Sequence, residues 1–171
     1  MANRSHAAIA LITGLVAISA GVQIDAANQS MPANSSVTVK GQDGKIELID
    51  AEALAKLPQR EVHAEAHGKA ITCRGPTLSD VLARVGAPQG DALRGKGLIL
   101  YAKISARDEY RVVYSLAELD TASHDSVPIL TTYCDGKNLD ENEGPFRIIY
   151  PGERRPARWV RQVSSIELLA G

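Results

Sequence analysis

Apolar and polar residues alternate along most of the chain in short runs separated by turn residues. Within 36–49 the apolar positions recur with a period of two around a turn at Gly41 to Gly44, at Val37, Val39, Ile46 and Leu48. This pattern predicts a β-hairpin. A second pair of strands is predicted in 61–75, turning at His67-Gly68. Later apolar runs predict further strands in 97–104, 110–114, 127–133, 146–150 and 163–168.

Helical spacing occurs in only a few short segments. Asp50 can cap a helix over 51–57 that Pro58 stops. In 77–86 the apolar residues recur at the spacing of a helix that Thr77 or Pro76 opens, and Gly86 suits the left-handed conformation of a C-terminal cap. Ser115 and Glu118 have the spacing of a capping box. Because strands outnumber helices and no regular helix separates them, we expect an α+β fold with a mixed or antiparallel sheet and short helices.

The first residues of the chain have the composition of a targeting segment. Residues 7–20, AAIALITGLVAISA, carry no charge and follow a short polar head that contains Arg4. This length and composition are typical of the apolar region of a signal peptide and too short for a membrane span. We therefore expect a signal peptide in 1–27, a flexible segment in 28–36 and a domain in 37–171. A buried N-terminal helix is the alternative. Export predicts a periplasmic or secreted protein with no transmembrane segment after signal removal.

An exported protein can form disulfides, which changes what its two cysteines can do. Cys73 and Cys134 can pair, or each can remain a half-buried free thiol, and the sequence does not choose between these states. No metal-binding motif is present: the cysteines form no CxxC pair, and His63 and His67 are more simply read as exposed polar residues. We predict no metal ligand and nominate no catalytic residue.

The overall charge excludes one class of partner. Nineteen basic and twenty acidic residues give a formal net charge of −1, so no global field draws the protein to nucleic acid. The sequence also has no G-x-S-x-G elbow and no Walker phosphate loop. Any electrostatic recognition must therefore be local.

One segment concentrates positive charge. Within 144–168, GPFRIIYPGERRPARWVRQVSSIEL, five arginines occur around a Pro-Gly turn and the only tryptophan, and Glu153 is the one acidic residue between them. Guanidinium groups bind phosphate or carboxylate with two parallel hydrogen bonds. The alternatives are an anion site and an exposed hairpin whose arginine stems cover Trp159. In a regular strand Arg158 and Arg161 would point to opposite faces, so a shared ligand requires a helical, bulged or looped backbone.

Four stretches together resemble a known family. GPFRIIYPGERRPARWVRQVSSIEL, GPTLSDVLARVGA, DEYRVVYSLAEL and CDGKNLDENEGPFR are similar to the molybdopterin-binding domain of the sulfite oxidase family, and in particular to its small exported members. The resemblance covers about 37–168. It implies a sulfite-oxidase molybdopterin-domain-like α+β fold and a molybdenum pterin (molybdopterin) as cofactor. It nominates Arg158 and Arg161 as ligands of the pterin phosphate, with Arg155 and Arg147 as further candidates.

The sequence also departs from the family pattern. Catalytic members bind molybdenum through a cysteine thiolate in a strand well before the Gly-x-x-Leu helix start, whereas here that stretch, EVHAEAHGKAITC, has Cys73 only three residues before Pro76. Besides a purely structural secreted domain without a ligand, two hypotheses follow. One is an exported oxidoreductase component that uses a molybdenum pterin and passes electrons to a membrane or haem partner. The other is a non-catalytic binding or interaction module, for a small anionic ligand or a protein, that has lost the metal-ligand cysteine.

Overall fold

The computed structural model describes residues 35–171, which form three β-sheets and three short α-helices. The strands are β1 Ser36–Lys40, β2 Ile46–Asp50, β3 Arg60–Ala66, β4 Lys69–Gly75, β5 Leu100–Ala106, β6 Arg111–Ser115, β7 Ile129–Thr131, β8 Tyr133–Cys134, β9 Lys137–Asn138, β10 Arg147–Ile149 and β11 Val163–Ala170. The helices are α1 Ala51–Ala55, α2 Leu78–Ala83 and α3 Leu116–Leu119. The predicted fold class, α+β with a mixed sheet and short helices, is confirmed.

A five-stranded sheet carries the larger core. Its order is β2-β1-β11-β5-β6, with β1 parallel to β11 and the other pairs antiparallel. The inner face of this sheet, together with α2 and α3, buries a cluster that includes Val37, Ile104, Tyr114 and Leu82. Strand β1, the first of the described region, pairs in parallel with β11, the last, and β11 is the central strand of the sheet.

The first hairpin forms as predicted, but its register turns two apolar residues outward. Val37 pairs with Ile49 and Thr38 with Leu48, so Leu48 lies on the outer face. Ile46 and Leu48 are 60% and 64% exposed, while Ile49 is buried. A shift of one residue in the pairing moves every side chain of a strand to the other face of the sheet. The geometry of the turn sets the pairing register here, and the number of apolar residues that a register would bury does not.

Two smaller sheets form the other half of the molecule. The sheet β3-β4-β8-β9 and the pair β10-β7 enclose a second cluster, which contains Val62, Cys73, Ile149 and Trp159. Strand β10 lies between the two cores: Ile148 packs into the larger cluster and Ile149 into the smaller one. Both faces of β10 are therefore buried.

The predicted helix caps are present, and the helices are shorter than expected. The side chain of Asp50 accepts a hydrogen bond from the backbone N–H of Ala53, and that of Thr77 accepts one from Asp80. Ser115 and Glu118 form the predicted capping box. The predicted helices over 51–57 and 77–86 end at Ala55 and Ala83, and the strand expected from 97 begins at Leu100 after a 3-10 turn.

Most of the N-terminal predictions fall outside the described region. The signal peptide expected in 1–27 and nearly all of the flexible segment expected in 28–36 precede residue 35. From residue 35 onward, no helix has the length and apolar content needed to cross a membrane.

The two cysteines form a disulfide. Cys73 in β4 and Cys134 in β8 are directly opposed in the sheet, and their Sγ atoms are bonded at 2.03 Å. This settles the choice between a bridge and two free thiols. The bridge ties together chain segments 61 residues apart, which restricts the unfolded chain more than the folded one.

Replacing both cysteines by alanine should lower the free energy of unfolding by about 2–4 kcal/mol, because the unfolded chain regains the freedom of a long loop. Urea unfolding can be followed through the fluorescence of Trp159, which packs in the same cluster as Cys73. Reductant should destabilise the wild type by a similar amount and leave the double variant unchanged. Equal midpoints for oxidised and reduced wild type would contradict a stabilising bridge.

Candidate functional site

The arginine-rich segment is built around β10 and the start of β11. After β10 the chain turns at Pro151-Gly152, forms a 3-10 turn over Pro156–Arg158 and returns beside β10, where the N–H of Ile148 donates to the carbonyl of Val160. Trp159 is 4% exposed and packs into the smaller core. The predicted strand, turn and strand of this segment are confirmed, and the arginines along it have different surroundings.

Arg158 is bound by two carboxylates. Its Nε donates to Glu153 Oε1 at 2.6 Å, and its Nη1 and Nη2 donate to Glu118 Oε1 and Oε2 at 3.1 and 3.3 Å. Its Nη1 also lies 3.2 Å from the carbonyl oxygen of Val113. The bidentate contact with Glu118 is the geometry in which a guanidinium binds a carboxylate most strongly.

Two aromatic rings complete the surroundings of this guanidinium. Its Cζ lies 4.4 Å from the ring centroid of Tyr114 and 5.7 Å from that of Tyr150, within the range of a cation–π interaction. The hydroxyl of Tyr114 donates to the carbonyl oxygen of Arg158 itself. We call Arg158, Glu118, Glu153, Tyr114 and Tyr150 the Arg158 cluster.

The protonation states in the Arg158 cluster follow from burial and charge. Partial burial acts to lower the pKa of Arg158, but the hydrogen bonds to Glu118 and Glu153 outweigh it and raise the pKa above its ordinary value. Burial, followed by the charge of Glu153, raises the pKa of the Tyr114 phenol. Arg158 is therefore a permanent cation whose charge is already balanced inside the fold.

Glu118 is a functional partner that reasoning from the sequence missed. Glu153 is the one acidic residue between the arginines in the sequence, and it does pair with Arg158. Glu118 lies 40 residues before Arg158 and also reaches it, through the packing of α3 beside β6. The capping-box signal located Glu118 at the start of α3 but carried no information on this second contact.

Arg147 is buried rather than displayed. It lies on the opposite face of β10 from Ile148, as alternation predicts, but this face is also covered, and Arg147 is 9% exposed. Its Nη1 donates to Glu143, and its buried Nε has no hydrogen-bond partner. Burial lowers the pKa of Arg147, the partner Glu143 raises it, and the charge of Arg161 lowers it further. Arg147 lines a polar cavity of about 510 Å³ that Lys69 and Lys137 also line.

The remaining arginines are exposed and lie in two other places. Arg161 lines a cavity of about 280 Å³ with Asp108 and Tyr110. Arg154 and Arg155 line a cleft of about 740 Å³. Among the residues that the structure describes, none of these three arginines has an ion-pair partner.

The four nominated arginines therefore do not share one cavity. Arg147, Arg155 and Arg161 line three different cavities, and Arg158 lines none of them because its guanidinium is enclosed in the Arg158 cluster. The looped backbone needed to bring Arg158 and Arg161 together is present, but it directs the two side chains apart.

The described residues do not fit a molybdenum centre of the kind that the family resemblance implies. The family binds the metal through a thiolate, and both Cys73 and Cys134 are consumed in the disulfide. Over 35–171 no three His, Cys, Asp or Glu side chains are grouped so that they could hold a metal ion. A disulfide sulfur lacks the negative charge that makes a thiolate a strong soft ligand.

Comparison with known proteins finds a similarity of fold. No protein-family model matches the chain, and no curated protein matches it in sequence. The structure is similar to a chain of the sulfane dehydrogenase SoxCD from Paracoccus pantotrophus, with a TM-score of 0.60 and 16% sequence identity. The match covers 78% of this chain and 37% of the SoxCD chain, so this chain spans little more than a third of that protein's length. At this identity the likeness is one of fold.

Alkaline pH should unfold the protein through Tyr114. The folded state holds the Tyr114 proton more tightly than the unfolded chain does, so this contribution to stability is complete below the ordinary tyrosine pKa of about 10 and is lost as the pH rises above it. Absorbance at 295 nm should therefore show part of the tyrosine titration only when the far-ultraviolet circular dichroism is lost. In Tyr114→Phe the fraction that titrates with unfolding should shrink. A smooth titration of every tyrosine in the folded protein would contradict this assignment.

Proposed function

We propose that this chain is a non-catalytic binding module that keeps the molybdopterin-domain-like fold and takes a small anionic ligand without molybdenum. The observation that carries the proposal is the Cys73–Cys134 disulfide, which removes the thiol chemistry that a catalytic member of the sulfite oxidase family uses. The state of Arg158 supports the same conclusion, because Glu118 and Glu153 already occupy the guanidinium that the resemblance assigns to the pterin phosphate.

Anion binding remains part of the proposal because cationic groups stay available. Of the four nominated residues, Arg155 and Arg161 are exposed and have no ion-pair partner in the described part of the chain. Arg147 is also nominated, and its unpartnered buried Nε is a donor that lacks an acceptor. Buried donors are normally hydrogen-bonded, so an unpartnered one is a reason to expect a ligand or water nearby.

The disulfide also supports the proposed location. Disulfides persist in the periplasm and outside the cell, whereas the cytosol keeps thiols reduced. A bridge between β4 and β8 therefore agrees with the export that the N-terminal sequence predicts. We propose that the protein is periplasmic or secreted.

One observation favours a second candidate function. The fold is similar to that of SoxCD, which is named a sulfane dehydrogenase. An exported oxidoreductase component that binds molybdopterin and passes electrons to a membrane or haem partner is therefore the competing proposal. It requires a metal-binding arrangement other than the cysteine thiolate.

Metal and pterin analysis separates the two proposals. The protein should be purified from an export-competent host that is supplied with molybdate, then measured for molybdenum by mass spectrometry and for released pterin by fluorescence. The binding module predicts substoichiometric molybdenum and no pterin, in the wild type and in a Cys73→Ser/Cys134→Ser variant alike. Stoichiometric molybdenum in the wild type would overturn the binding-module proposal in favour of the redox protein.

A further inference from the structure

A cleft separates the turn between β3 and β4 from the loop that follows β10. One wall is formed by Glu65, His67 and Gly68, and the other by the loop from Pro151 to Ala157. Its volume of about 740 Å³ falls within the range of pockets that hold small organic ligands. The geometry therefore provides room for more than a single inorganic ion.

The backbone of the turn defines the first wall. His67 and Gly68 both have positive φ, at 54° and 77°. This is the conformation of the two central residues of a tight hairpin turn, and it pairs Ala66 directly with Lys69. The wall that faces the arginine loop is thus the turn of a hairpin whose two strands have seven residues each.

Two arginines and two glutamates line the cleft, but one of the glutamates, Glu153, is already paired with Arg158. Arg154 and Arg155 are exposed and have no ion-pair partner among residues 35–171. The nearest acidic residue in sequence, Glu153, is held by Arg158 through its Oε1 at 2.6 Å. The Arg158 cluster thus withholds that carboxylate from its two neighbours.

The unpaired groups indicate the chemistry of a ligand. Arg154 and Arg155 both line this cleft, and an oxyanion bound there can accept hydrogen bonds from guanidinium donors. Glu65 on the opposite wall has no ion-pair partner in the described region, so it disfavours negative charge there and accepts a hydrogen bond from a hydroxyl or amine. The arrangement suits a compact dianionic head on a body that carries a donor.

We infer that this cleft binds a small organic dianion, a phosphate monoester or a dicarboxylate, through Arg154 and Arg155. The inference rests on the proposed function and specifies its site and ligand class. It moves the site away from Arg158 and Arg161, because the first is neutralised within the fold and the second lines a different cavity. The prolines at positions 151 and 156 give the cleft apolar surface for the body of the ligand.

Calorimetric titration at low ionic strength tests the assignment. Glycerol phosphate and succinate are the two probes, and they distinguish a phosphate head from a dicarboxylate. Arg154→Ala/Arg155→Ala should weaken binding of the preferred probe about tenfold or more, as expected when hydrogen bonds from charged donors are lost. Both side chains are exposed and make no ion pair in the described region, so the variant should fold like the wild type.

Two matched controls identify the site. Arg94→Ala removes an exposed arginine away from the cleft and should leave the affinity unchanged. Arg161→Ala tests the other cavity, and the assignment to Arg154 and Arg155 predicts that it weakens binding less than Arg154→Ala/Arg155→Ala does. Amide chemical shifts of Gly68 and Arg155 should move on titration, which locates the ligand between both walls without any mutation.

Different results would overturn the site, the ligand class and the proposed function. Binding that persists in Arg154→Ala/Arg155→Ala and disappears in Arg161→Ala would overturn this site while leaving an anion-binding module in place. Absence of wild-type binding to both probes would overturn the inferred ligand class. The proposed function itself fails on a separate result, which is stoichiometric molybdenum in the purified protein.

Discussion

The arrangement of this region depends on one guanidinium that is held between two carboxylates. Arg158 connects Glu118 at the start of α3 to Glu153 after the Pro-Gly turn, and it lies against the rings of Tyr114 and Tyr150. These residues come from two stretches of the chain, 114–118 and 150–158. Removing the cation would leave two partly buried carboxylates without a partner, which is costly in a region of reduced dielectric constant. The contact therefore determines how the arginine-rich loop sits on the larger sheet.

This contact also determines which arginines are free to bind. Because Arg158 takes up Glu153, the adjacent Arg154 and Arg155 have no carboxylate in ion-pair contact within the described residues. Arg147 also contributes to the fold, because it is buried on the second face of β10 and forms an ion pair with Glu143. A segment that looks like a uniform cluster of positive charge is thus divided into residues that stabilise the fold and residues that face solvent. Both cysteines likewise serve the fold, because their disulfide joins two strands.

Local features of the fold could be predicted from the sequence, whereas contacts between distant segments could not. The hairpin turns, the capping residues Asp50 and Thr77, and the capping box of α3 depend on neighbouring residues and appear as expected. The partner of Arg158 depends on how α3 packs, and the pairing of Cys73 with Cys134 depends on the register between β4 and β8. Leu48 shows the same limit within a hairpin, since its exposure follows from register rather than from hydrophobicity. The family resemblance nominated four arginines as cofactor ligands but could not indicate that the fold itself pairs Arg158 and Arg147 with glutamates.

Arg158 stabilises the fold through its ion pairs rather than binding a ligand. A double-mutant cycle between Arg158→Met and Glu118→Gln measures the free energy of the Arg158–Glu118 pair. Glutamine at position 118 can preserve the capping box, so the cycle isolates the ion pair. The two substitutions should show a coupling free energy of about 1 kcal/mol or more in unfolding experiments at neutral pH. Additive effects of the two substitutions would contradict it and would return Arg158 to the list of residues available to bind an anion.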